Sequence, residues 1–227
     1  MLNPAPMQYG KKYKKPAYQG WYGRFVFPHI EVLVTRGLGK IRRRLLSQAH
    51  GRIVEIGAGA AQNLAYLPET VQSYLATDPS PVMVGKAKKE ILRHKPPGLD
   101  ARVMRAAAED IPVKSQSADT VISFLVLCSV FDPSAALSEV YRVLRPGGSL
   151  LFFEHVLAPG GATVWWQNRI TPVWKRLGGG CHLNRDTADT IEKSGFHFEQ
   201  FRQYRTRKMG PAITSNVIEG VAGKRDF

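Results

Sequence analysis

The stretch "RIVEIGAGAAQNLAYLP", residues 52–68, runs through apolar residues to Glu55 and then turns at two glycines spaced G-x-G, Gly57 and Gly59. An apolar run ending in such a turn predicts a buried strand that feeds a ligand-binding loop. There the glycines remove side chains that would block a ligand's approach and permit positive φ. A helix expected to start near Gln62 aims its free N–H groups at the same place. A G-x-G-x-x-G dinucleotide fingerprint would put its third glycine where Gln62 stands, and the Glu55 carboxylate would repel incoming phosphates. A ligand carrying an ammonium group and no phosphate suits this turn better than NAD, which disfavours a nicotinamide-dependent oxidoreductase.

Nineteen residues beyond Gly59, at the end of the "SYLATD" run, comes Asp78. That is the expected place for a carboxylate accepting hydrogen bonds from two ribose hydroxyls, although a turn-starting Asp before Pro79 reads the same way. The runs "RIVEI", "SYLATD", "ARVMRA", "DTVISFLV" and "SLLFFEH" predict strands, separated by helix-compatible stretches, with "RPGG" at 145–148 punctuating the last passage. Two more strands are expected near "HFEQFRQY" and "SNVIEGVA". The alternation predicts an α/β fold: a Rossmann-like, doubly wound, seven-stranded and mostly parallel sheet. An N-terminal helical cap precedes it, so residues 1–49 read as a basic arm and cap, and 50–227 as the main domain.

The glycine turn, the spaced acid, "AAAEDIP" after the third strand and "RVLRPGGSLLFFEH" before and through the fifth together resemble the class I S-adenosylmethionine (SAM)-dependent methyltransferases. The resemblance covers about residues 50–156. It implies that Glu55, Gly57 and Gly59 surround the amino-acid end of SAM and that Asp78 holds its ribose. Ala108 and Glu109 would flank the adenine, and Leu125, Val126 and Leu127 would lie beside the methionyl portion. Ala58, Asn63, Pro79 and Met83 would complete the cofactor cleft. Two positions depart from the common pattern: Ala61 replaces a further glycine, and Ala107 replaces an adenine-binding Asp.

Methyl transfer from a sulfonium is an in-line displacement that depends chiefly on positioning and needs a base only if the acceptor arrives protonated. Catalytic candidates are Glu154 and His155 at the end of the fifth strand and His182 in "GGGCHLNRDT". His155 reads equally as a base or as a hydrogen-bonded strand-end histidine. Cys128, Cys181, Trp166 and Arg185 are candidates for the acceptor side. Their plainer readings are buried small hydrophobes for the cysteines, a core or surface anchor for Trp166 and an ordinary ion pair for Arg185. "LVLCSV", "EVYRVLRPGGSLLFFEHV", "WWQNRITPVWKRLGGGCHLNRDT" and "EGVAGK" are similar to a branch that includes membrane-associated small-thiol methyltransferases and uncharacterised bacterial proteins. That likeness implies a small, soft or hydrophobic acceptor, a thiol or sulfide first, with a phospholipid amine or quinone-type lipid as the alternative.

The two cysteines lie far apart and form no C-x-x-C pair, so neither a zinc site nor a disulfide framework is expected. The longest apolar runs fall short of a bilayer span and no secretory signal is evident, so a cytoplasmic protein is expected. Residues 1–50 carry ten Lys or Arg and one acid, Glu31, so the chain's net charge of +14 is concentrated there. Aromatics interleave with the charge in "YGKKYKKPAYQGWYGRFVF". The arm reads as a solvated tail or as a contact for an anionic membrane surface. Only charge supports a nucleic-acid partner, and no RNA-binding motif accompanies it.

Overall fold

The computed structural model describes residues 37–225. The Lys- and Tyr-rich arm and the helical segments expected before residue 37 lie outside them. The order is α1 (Gly39–Leu46), β1 (Gly51–Ile56), a 3₁₀ turn (Gln62–Tyr66), β2 (Val71–Thr77), α2 (Pro81–His94), β3 (Asp100–Met104), β4 (Ala118–Phe124) and α3 (Pro133–Val143). Then follow β5 (Leu144–His155), α4 (Ala162–Leu177), α5 (Thr187–Lys193), β6 (Phe196–Arg205) and β7 (Asn216–Lys224). All seven expected strands form one sheet in the order β3-β2-β1-β4-β5-β7-β6. β1 to β5 pair in parallel, and β7 alone runs antiparallel, between β5 and β6.

Successive residues of a strand face opposite sides, and both sides of this sheet are covered, which is why β4 is buried along its whole length and apolar residues stand on both of its faces. Ile53, Ile122 and Leu151 pack on one face with Leu45 and Leu46 of α1 and Ala87 and Ile91 of α2. Val54, Val121 and Leu150 pack on the other with Leu137 and Val140 of α3 and Ile191 of α5. α1 is thus part of the core, although it falls on the arm side of the boundary drawn at residue 50. Three helix starts follow capping chemistry. Ser80 and Asp132 cap α2 and α3, each followed by proline, and Asp186 caps α5.

Three local expectations change. The segment starting at Gln62 is a five-residue 3₁₀ turn rather than an α-helix. Ala61 enters it at φ 56°, a left-handed conformation that suits glycine. "RPGG" is drawn into β5 as its irregular first residues, with Gly147 at φ 71°. The basic face of α1 is partly turned inward. Arg44 forks onto the buried Glu219 of β7 at 2.5 and 2.7 Å, and the buried Arg42 stacks 4.7 Å over the Phe124 ring.

Gly220 pairs with Phe201, just past the bulge of β6 between Phe198 and Gln200. A Cβ there would fall on the Gln200 carbonyl and within 2.9 Å of the Phe152 ring. Gly220→Ala should therefore cost about 2–4 kcal/mol of stability by forcing β6 off β7. An unchanged urea midpoint would refute this close-packing account.

Candidate active site

The strand order reverses direction between β1 and β4, and the crevice outside their carboxyl ends is where open α/β sheets take ligands. The glycine turn lies there, with Gly57 at φ 54° and Gly59 at φ 55°. Gly57 has a second reason to be glycine: a Cβ would meet the Val126 side chain at 2.7 Å, so the loops leaving β1 and β4 close directly on one another. Asp78, at the end of β2, reaches across to this turn. One of its oxygens accepts from Gly59 N–H at 3.0 Å and the other from Ser80 N–H at 2.8 Å. Burial pushes its carboxyl up to about 6, against the pull of those two donors.

Glu55 is buried behind the turn rather than open to it. Its oxygens accept from Tyr74 O–H at 2.5 Å and Asn63 Nδ2 at 2.8 Å, and Asn63 Oδ1 in turn accepts from Arg42 Nε at 2.7 Å. Desolvation raises this carboxyl to about 7, and Tyr74, Asn63 and Arg42 oppose the rise. Tyr74 and Arg42 went unread in the sequence, because one looked like strand filler and the other like surface charge. Along the rest of the cleft, Ala58, Met83 and Ala108 are buried, and Pro79 offers its carbonyl to Arg105. Glu109, expected beside adenine, accepts instead from the backbone N–H groups of Phe131 and Asp132 at 2.9 and 3.2 Å.

The loop after β4, residues 125–131, is clamped from three sides. Leu125 turns it at φ 62° and donates to Phe153 O at 2.7 Å. Glu154, fully buried, accepts from Ser123 O–H at 2.7 Å and from the N–H groups of Val126, Leu127 and Cys128. Arg185 donates to the carbonyls of Leu127 at 2.6 Å and Val130 at 2.7 Å, so its guanidinium is spent on backbone and not on a carboxylate. Ser123, a buried hydroxyl near the end of β4, was the overlooked signal for this clamp.

Against the loop lies a cluster from three elements. His155 Nε2 donates to Ile213 O at 3.2 Å, which leaves Nδ1 facing Cys181 Sγ at 4.0 Å. The Cys181 thiol also meets Cys128 and the indole of Trp174. Cys128 donating to it, with His155 and Trp174 beside it, holds the Cys181 thiol well below its usual range. The same pairing and burial push Cys128 up. His182 anchors the two loops by donating its backbone N–H to Cys128 O at 2.8 Å. Burial, with Arg185 and Lys175 nearby, lowers its imidazole pKa and keeps the ring neutral. Trp166 is half exposed on α4, and Trp174 of the same helix is the tryptophan beside Cys181. Among the described residues no group of three His, Cys, Asp or Glu side chains is placed to hold a metal ion.

The cleft fits SAM. The φ-positive glycine turn removes side chains from a ligand's path, and the acid beside it is the hydroxyl acceptor a ribose needs. Fold and cleft together define a SAM-dependent methyltransferase. Residues 54–152 match the family model described as a methyltransferase domain. The rat thiol S-methyltransferase TMT1B is 32% identical over 210 residues, 85% of this chain and 86% of that protein. The chain belongs to the methyltransferase family that includes it. Among solved structures, a SAM-dependent methyltransferase from Thermotoga maritima superposes with a TM-score of 0.63 at 22% identity, covering 90% of this chain and 98% of its own. The [4+2]-cyclase SpnF does so at 0.62 and 17%, covering 88% and 81%. Likeness at that level shows the fold alone, so the acceptor has to be argued from the site.

Proposed function

We propose that this protein transfers the methyl group of SAM to a small thiol. The observation that carries this reading is that the end of β5 offers no free base. Glu154 is spent on four donors, and His155 is held between Ile213 and Cys181. An acceptor that brings its own nucleophilicity suits such a strand end, and an alkyl thiol of pKa ~8.5 is already a few per cent thiolate at neutral pH. A lipid amine, protonated at that pH, would need a base. The name of the rat relative agrees with a thiol acceptor.

In this mechanism Asp78 accepts the sugar hydroxyls, and the turn from Gly57 to Gly59 fixes the amino-acid tail, backed by Glu55 and Asn63. Bound there, SAM supplies a methyl group on a positively charged sulfur. The chain's part is to hold the acceptor in line: Val126 closes the cleft, the clamped loop sets its wall, and Cys128, Cys181 and Trp174 give that wall a soft, polarisable surface. Mass spectrometry of products from labelled SAM and a mixed panel of thiols, lipid amines and quinols tests the reading. Thiols should be methylated, and the pH profile of kcat/KM should follow the pKa of each thiol rather than a fixed enzyme group. Turnover of lipids with none of thiols would overturn it.

The surface of α4 favours a peripheral membrane location on the cytoplasmic side. Trp165, Trp166, Val173 and Leu177 are each about half exposed, while the polar Gln167 and Thr171 are buried, which inverts the usual pattern. The helix carries Arg169, Lys175 and Arg176 and no acid. Such a face suits the headgroup boundary of an anionic bilayer. No helix of the described residues is long and apolar enough to cross one. Vesicles containing phosphatidylserine should sediment the protein, and Trp165→Ala with Trp166→Ala should weaken this about tenfold or more. Equal binding to neutral vesicles would remove the electrostatic part of the argument.

A further inference from the structure

We propose that Cys128 and Cys181 form a dithiol site that reacts with low-molecular-weight disulfides, Cys181 attacking and Cys128 resolving. They stand 53 positions apart in the chain, yet the His182 N–H to Cys128 O bond at 2.8 Å lays the two backbone segments that carry them side by side. Access differs between them as the two roles require. Cys181 is partly exposed in the glycine-rich loop after α4, whereas Cys128 is buried behind it at 2% exposure. His155 Nδ1 and the Trp174 indole face Cys181 from the other side, a setting that favours its thiolate, the form that attacks disulfides.

The choice of disulfide rests on the thiol reading above, since the oxidised counterpart of a small thiol acceptor is a disulfide built from the same groups. The Cys181 thiolate attacks one sulfur of the disulfide, forming a Cys181 mixed disulfide and expelling the first thiolate. Cys128 then attacks the Cys181 sulfur, closes the Cys128–Cys181 bond, and expels the second thiolate, to which its proton passes. Two electrons move from the protein dithiol to the disulfide, and two small thiols leave. Once Cys181 is consumed, the neighbouring thiolate that pushed Cys128 up is gone, so the resolving step becomes easier than the isolated state of Cys128 suggests. A dithiol such as dithiothreitol returns the protein to its starting state.

The test needs neither SAM nor methyl transfer, so its outcome is separate from the acceptor question. The reduced full-length protein is mixed with bis(2-hydroxyethyl) disulfide, quenched in acid and weighed intact. The wild type should lose about 2 Da, two hydrogens, without an adduct, and proteolysis after alkylation should yield a linked Cys128–Cys181 peptide. Cys128→Ser should accumulate one half of the disulfide on Cys181. Cys181→Ser should react at least about tenfold more slowly. Should either variant fail to fold by circular dichroism, the linked peptide from the wild type still decides. Absence of that peptide, or a wild-type adduct that persists unresolved, would overturn the proposal.

Discussion

Asp78→Ala is expected to weaken SAM binding by roughly 100-fold or more, because two hydrogen bonds to a charged acceptor are worth about 1.5–3 kcal/mol each. Calorimetry measures this directly, and a variant that binds as tightly as the wild type would place the donor elsewhere. The pH dependence gives a second readout. Burial raises the Asp78 carboxyl to about 6, whereas sugar hydroxyls and a cationic donor prefer the ionised form. Donor affinity should therefore fall as pH drops through about 6, and Asp78→Asn should abolish that fall. The contribution of this group to folding has the opposite sign. A carboxyl whose folded pKa is raised favours the folded state most when protonated, and that contribution is lost as pH rises through about 6. A binding curve and a melting curve that both rise with pH in this window would contradict the assignment.

Glu154→Ala should destabilise the protein by about 3–5 kcal/mol, since it leaves Ser123 O–H and three buried N–H groups without an acceptor. For a domain of this size that is a fall in Tm of roughly 6–20 °C. Glu154→Gln should fall between the two, because one oxygen remains while the new amide N–H₂ faces donors. A general base would behave differently: its glutamine variant would lose turnover at an unchanged Tm and with a flattened pH profile. That second pattern would return Glu154 to catalysis.

The sheet was legible because strand and turn signals are local. β1 and β4 are apolar on both faces, and a doubly covered parallel sheet is what makes strands apolar on both faces. The glycine turn was legible for a similar reason, since positive φ selects glycine within a few residues of chain. The helix expected after it was not, because Ala61 and the five-residue 3₁₀ turn follow from how the turn packs on Arg42, Asn63 and Glu55. Asp78 was found by spacing, but the roles of its neighbours in chemistry were not. Glu109 and Arg185 had the charge of ligand-binding residues, and the structure spends both on loop backbone.

By itself, then, the sequence determined the strand order along the chain, the class of turn at the cleft and the acid facing it, since each depends on side chains close together in the chain. Only the tertiary structure decided which polar groups are free for a ligand and which are consumed inside, and it alone brought Cys128 to Cys181. Hydrogen-bond partners across β4, β5 and the loop after α4 are set by the register of distant strands, and no periodicity within a single segment records that register.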